Sequence, residues 1–499
     1  MNYLFYDEKL MYPKCIEAYS PSEKYPEYPF ESVSNENNMV YSAIRMMFKD
    51  MDLDNNNFGS SMWNPLGKWI KPGMKVCLKP NFVMHLNRSK DPDDLDSLVT
   101  HPSVIRCLLD YCYIALNGKG TVIVGDAPVK DCDFSLLMKR RNYIDIVKFY
   151  NSLNNDFKVD FYDFRGPEEE GGQYQNIGKG ILVNLGKKSW FYNNEHNEKK
   201  YRIPNYHYKR VIQHHNGLTQ EYLINSTVLE ADVIISIPKP KTHRKNGYTA
   251  ALKNFVGITY SKEYLPHHTE GAVSNGGDEY IDEELFSNIS SKIRKYIDIT
   301  RVKADLEKRK NPKLYIWKLY RKYLSILWKL YAKINYIDNK WMSYKNASFA
   351  KRAREGSWYG NDTLWRTVLD LNYAIQYATK TGNLADTPQR KILYLGDMVI
   401  SGDKEGPMAP SYKEQHMLLF SDEVVDFDCI VIKLMGFDYK KFKTLMHVIN
   451  FAPLMNHQYN EIFIKSNIKN YIGLLKDMDF KPISKPFVPG KGWIGHIEL

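Results

Sequence analysis

No two cysteines in this chain form a C-x-x-C pair: Cys15, Cys77, Cys107, Cys112, Cys132 and Cys429 are scattered over 499 residues. Neither a zinc ribbon nor an iron–sulfur cluster held by local cysteines is therefore encoded, and core thiols are the expected role. Long uncharged apolar runs are missing too, and with a mean hydropathy of −0.49 no spanning helix is expected. The opening segment MNYLFYDEKLMYPK carries Asp7 and Glu8 and no long apolar core, so it does not read as a secretory signal and a cytoplasmic location is expected.

Acidic residues are scarce in one place. Between Arg301 and Ala350 thirteen Lys or Arg face only Asp305, Glu307 and Asp338, an excess of ten that accounts for most of the net charge of +11. The basicity belongs to one segment, which makes nucleic-acid binding by the whole chain the weakest reading. What remains, 43% hydrophobic and 25% charged residues, is the composition of a folded protein with two or three domains or one large core with insertions.

The pattern between Lys75 and Asp126 is strand, loop, helix, strand. KVCLKPNFV leads into an acidic loop, a helix-spaced run from Pro102 to Leu116 and the strand TVIVGDAP, with Thr100 or Ser103 as the expected cap. Such a βαβ unit places Lys79, Asn81 and Asp126 at one carboxyl edge of a parallel sheet. The same edge receives the densest feature of the chain, EADVIISIPKPKTHRKNGYTAALKNFVG over residues 230–257. A β-branched strand stops at Pro238 and Pro240, and Lys239, Lys241, His243, Arg244 and Lys245 follow within a few residues. Cations this close repel one another unless an anion, an acidic partner or solvent compensates them, so an anion site is expected here. Neighbouring positive charge lowers the pKa of His243, leaving a neutral imidazole for acid/base or ligand duty.

A helical insertion follows at 283–351. Its segment 315–337 places Ile316, Tyr320, Tyr323, Leu327, Leu330 and Ile334 on one stripe and Lys318, Arg321, Lys322, Lys329 and Lys333 elsewhere. Packing on the domain or on a second copy is one reading, and an anionic membrane surface is another. The chain then returns to α/β character with the strand KILYLGDMVI, a loop SGDKEGPMAP and a βα stretch around VVDFDCIVIKLMG. Asp397, Asp403, Glu405 and Asp428 there are read as turn and capping residues, with cation binding as the alternative.

The segments KPNFV, THPSVI, VIVGDAP, ADVIISIPKPKTH, ALKNFVG, EGP and DCIVIKLMG together resemble the domain-of-unknown-function 362 family, from about Lys75 to Met446. The layout is also similar to the N-terminal region of lactate racemase. That resemblance implies His243 as acid/base, Lys253 as cofactor tether, and His267 or His268 as metal ligand. Where those racemases place glycines and an arginine, this chain has Ala250, Ala251 and Leu252. A nucleotide phosphate, a carboxylate or a simple divalent metal is therefore the expected occupant.

The fold expected is an open, mostly parallel, doubly wound α/β sheet with a long basic helical insertion. It would divide into an N-terminal extension (1–70), a first α/β half (71–282), the insertion (283–351) and a second half (352–499). The function expected is a cytoplasmic enzyme with isomerase, epimerase or redox chemistry on an anionic or nucleotide-like ligand. His243, Lys253 and Asp126 are the catalytic candidates, and Lys79, Asn81, Thr100, His101, Lys239, Lys241 and Asn254 the ligand-binding ones. The alternatives are a non-catalytic ligand-binding or scaffold protein at the inner membrane surface, as in envelope polysaccharide assembly, and a homo-oligomer.

Overall fold

A computed structural model describes the chain apart from residues 168–176, 193–197, 282–284, 314, 345–353, 450–453 and 455–460. Among the described residues the main sheet contains eleven strands. In chain order they are β1 (Asn2–Tyr6), β2 (Val76–Pro80), β3 (Gly120–Asp126), β4 (Phe157–Asp163), β5 (Val233–Ile237), β6 (Lys241–His243), β7 (Gly247–Thr249), β8 (Lys391–Glu405), β9 (Ala409–Ser421), β10 (Phe463–Ser466) and β11 (Gly473–Leu474). Nine lie in the order β11-β10-β1-β9-β8-β5-β2-β3-β4, while β6 pairs with β8 and β7. The run from β8 to β4 is parallel throughout. Strand β9 turns back antiparallel along β8.

Among the helices that cover this sheet or border the site at its edge are α1 (Met39–Asp50), α2 (Pro102–Ala115), α3 (Ala251–Asn254), α4 (Leu285–Lys310), α5 (Ile316–Tyr344), α6 (Leu364–Tyr377) and α7 (Val424–Leu434). Successive residues of the central strands enter opposite cores, as the two-residue period of a strand requires. Cys77 and Ile234 join the core that holds α3, α6 and α7. Val76, Leu78, Val233, Ile235 and Ile237 join the one that holds α1 and α2. A sheet apolar on both faces and covered on both is the doubly wound arrangement expected from the sequence.

Several local expectations are corrected. Residues 1–70 are not an appendage, because β1 lies between β9 and β10 and α1 packs in the same core as α2. The cap of α2 is His101, whose Nδ1 accepts the Ser103 N–H, rather than Thr100 or Ser103. SGDKEGPMAP is largely hairpin, with Asp403 paired to Ser411 and Gly402 also paired to Lys241. Backbone pairing on both sides holds this polar strand end, so no apolar alternation advertises it. VVDFDCIVIKL is a helix, buried on nearly all sides. A continuous apolar run fits a buried helix as well as a buried strand. The insertion is a hairpin of α4 and α5, and the expected ends at 283–284 and 345–351 lie outside the described residues.

Candidate active site

The carboxyl ends of β2, β3 and β5 open onto a cavity of about 200 Å³. Ligands of open α/β sheets bind at such an edge. Of the residues predicted from the sequence, Asn81, Asp126, Lys241, His243, Lys253, Asn254 and His267 line it. The segment after Pro240 is a tight hairpin, not a loop. His243 of β6 pairs with Gly247 of β7 across Arg244, Lys245 and Asn246. Gly247 has φ +82°, and a Cβ there would lie 2.4 Å from the Phe442 ring, so both the turn and the packing require glycine.

That hairpin fixes the protonation of His243. Its Nδ1 accepts the backbone N–H groups of both Lys245 and Asn246, each at 3.0 Å, so the neutral ring carries its proton on Nε2. Burial, followed by the charge of Lys253, pushes its pKa well below the ordinary imidazole value. The expected acid/base is thus a hydrogen-bond donor. His267 is arranged the opposite way: its Nδ1–H donates to the Leu265 carbonyl at 2.8 Å, leaving a bare lone pair on Nε2. Burial, then Lys253 and Lys245, also holds its pKa well below the ordinary value. His268 lines a different, smaller cavity with Arg202, Glu270 and Glu279, so the adjacent histidines do not share a site. Among the described residues no group of three His, Cys, Asp or Glu is placed to hold a metal ion.

Lys253, on α3, is 9% exposed, and its ammonium has no hydrogen-bond or ion-pair partner among the described residues. Burial, then the charges of Lys262 and Lys245, lowers its pKa to about 7. Burial likewise brings Lys245 down to about 8, and its ammonium donates to the Glu355 carbonyl. Helix α3 is pinned by Asp428 of α7, which accepts the Ala251 N–H at 2.7 Å and the Tyr248 hydroxyl at 2.9 Å. Burial raises that carboxyl to about 7.

The remaining candidates have structural partners. Asp126 Oδ1 lies 2.9 Å from Lys79 Nζ, and its Oδ2 accepts the Phe82 N–H at 2.6 Å. It is the counter-ion of a fully buried lysine and does not orient a histidine. Lys79 also donates to the Pro80 carbonyl and to Asn254 Oδ1, and it stays behind the cavity wall. A Cβ at Gly257 would sit 1.8 Å from Asp126 Oδ1, so this pair depends on a glycine beside it. Lys241 donates to Asn81 Oδ1 at 2.7 Å and to the Leu98 carbonyl at 2.6 Å, which orients Asn81. Thr100 Oγ1 accepts the Asn81 N–H and donates to the Ile237 carbonyl, tying two strand ends together. Lys239 pairs with Asp397 at 3.1 Å, and His101 stacks on Tyr12 at 3.9 Å while its N–H donates to Asp397. Thr100, His101 and Lys239 therefore lie outside the cavity. Arg88 and Lys262 line it without having been predicted. Arg88 lies in a loop after β2 and Lys262 opens a short 3-10 turn, so nothing in the local sequence marks either.

Residues 192–433 match the family described as Domain of unknown function (DUF362), and the chain resembles that family. The matched span holds the β6–β7 hairpin, α3 and His267, whereas Asn81 and Asp126 precede it. No curated protein and no solved structure matches the chain.

Proposed function

We propose that this chain, similar to a family whose description assigns no activity, is an enzyme that binds an anionic small molecule and transfers a proton at carbon, as isomerases and epimerases do. One observation carries the reading: two neutral imidazoles of opposite tautomer and a lysine whose ammonium has no partner among the described residues line a single cavity. Titratable groups whose proton affinity burial and like charge shift within one cavity are the signature of acid/base sites. Lys253 receives the carboxylate or phosphate, and the incoming anion raises its pKa so that it takes up a proton. His267 Nε2 removes the proton from a carbon next to a carbonyl, and the electron pair moves to the carbonyl oxygen. His243 Nε2–H donates a hydrogen bond to that oxygen, a task suited to a ring locked as a neutral donor. Return of the proton from His267 completes the step.

The test is deuterium incorporation in D2O, followed by proton NMR over a panel of 2-keto acids and ketose phosphates. The reading predicts exchange at one carbon, with a loss of about a hundredfold or more in His267→Ala. No exchange with any member, or exchange undiminished in that variant, would sink it.

A second reading, a scaffold at an anionic membrane surface, is favoured by α5. Leu319, Tyr323, Ile326, Leu330 and Ile337 recur at helical spacing and are all exposed, with Leu319 at 67%. Residues 315–337 carry five cations and no acid. No described helix is long and apolar enough to cross a membrane, so the helix would lie in the interface.

A further inference from the structure

The inner cavity does not end at the histidines. It opens into an outer cleft of about 490 Å³, and Arg88, Asp131, Pro204, Asn205, Arg244 and Met408 line both. Among the described residues six cations border the cleft, Arg88, Arg244, Arg294, Arg301, Arg354 and Lys491, against Asp131, Glu355 and Glu405. Two of the acids are already committed to arginines. Asp131 lies between Arg88 at 3.1 Å and Arg301, and Glu355 is 2.9 Å from Arg294 Nε. Glu405 accepts the backbone N–H of Lys491 at 3.0 Å.

Arg244 differs from its neighbours. Its backbone is clamped, with the N–H donating to the Gly406 carbonyl at 3.0 Å and the carbonyl accepting Trp493 Nε1 at 2.8 Å. Its guanidinium has no hydrogen-bond or ion-pair partner among the described residues. It follows His243 directly and sits at the junction of the two cavities. Trp328 and Tyr331 of α5 form the far wall, and Arg294 lies over the Trp328 ring at 4.8 Å.

We infer that the substrate of the proposed proton transfer is elongated and phosphorylated, with its reacting carbon in the inner cavity and a diphosphate in the outer cleft at Arg244. This rests on the enzymatic reading and adds the substrate class. A guanidinium presents a planar fork of donors that matches phosphate oxygens in pairs, and Arg244 beside Arg88 and Arg301, which share the single carboxylate of Asp131, suits a group with several oxyanions better than a lone carboxylate. The cleft exceeds the inner cavity in volume, as room for the larger end of such a molecule requires. The helical hairpin thereby acquires a second role, supplying aromatic wall to the binding cleft.

Isothermal titration with inorganic pyrophosphate, and with orthophosphate in a parallel arm, tests the inference on the full chain. Pyrophosphate is expected to bind about tenfold or more tightly than orthophosphate, and Arg244→Ala to weaken it by about tenfold or more. Arg244→Gln keeps most of the side-chain volume and should give the same loss, which guards against a folding artefact. His267→Ala should leave pyrophosphate affinity unchanged while stopping deuterium exchange, so failure of the cleft and failure of the proton-transfer reading are separable. Absence of pyrophosphate binding, an orthophosphate affinity equal to it, or a loss below about threefold in both Arg244 variants overturns the inference.

Discussion

At the scale of single residues, the division between wall and scaffold decides which substitutions matter for chemistry and which for stability. Lys79 and Asp126 are both buried, 2.9 Å apart, and flank the cavity without supplying an open cation to it. Removing one partner of a buried pair leaves an uncompensated charge, which costs more than the pair contributes. Lys79→Met is therefore expected to destabilise the fold by about 3–5 kcal/mol, and Lys79→Met/Asp126→Asn to recover much of the loss. Urea unfolding of the two variants checks this, and a single variant within about 1 kcal/mol of the parent would show that Asp126 finds another partner. The sequence did place Lys79, Asn81 and Asp126 at one strand edge, because the βαβ pattern forces parallel strands. It could not tell which side chains reach the cavity. Lys241 and Lys253 are both site candidates in the sequence, and the bonds of Lys241 to Asn81 and Leu98 distinguish them.

Among the elements, legibility followed hydrophobic period. Strands β2, β3 and β5 and helix α2 were readable because their apolar runs are bounded by proline, glycine and polar loops. The outer part of β8 and β9 was not, since its polar residues are held by backbone pairing. Nor was the direction of α5. The expected stripe is split: Leu327 is buried, Tyr320 and Ile334 are half-buried, and Tyr323 and Leu330 are exposed. A helix apolar over a wide arc can pack on α4 along one edge and still present the other. Cations beside the exposed edge would repel those of a second copy, whereas each gains about 1 kcal/mol near an anionic bilayer at close range. Co-sedimentation with vesicles containing phosphatidylserine should pellet the full chain and lose it at high salt. Leu319→Glu/Ile326→Glu should abolish pelleting without altering the fold, and equal pelleting of that variant would remove the membrane reading.

For the whole molecule, the two cores hold strand ends in place so that charged groups remain together in a site where they oppose one another. The tautomers of His243 and His267 were invisible in the sequence because they depend on the backbone groups that each Nδ1 meets. Lys253 is where the central claim can be measured directly. A lysine normally titrates near 10.5, and burial with two neighbouring lysines lowers this one to about 7. Its protonated form, which attracts an anion, is thus present below about pH 7 and lost as pH rises through that value, so anion affinity should fall over the same interval. Carbon–proton NMR of the lysine ε-methylene, assigned by comparison with Lys253→Arg, follows the titration. The account predicts a midpoint near 7 in the free protein, moving upward when an anionic ligand occupies the cavity. A midpoint near 10.5, indifferent to added anion, would contradict it.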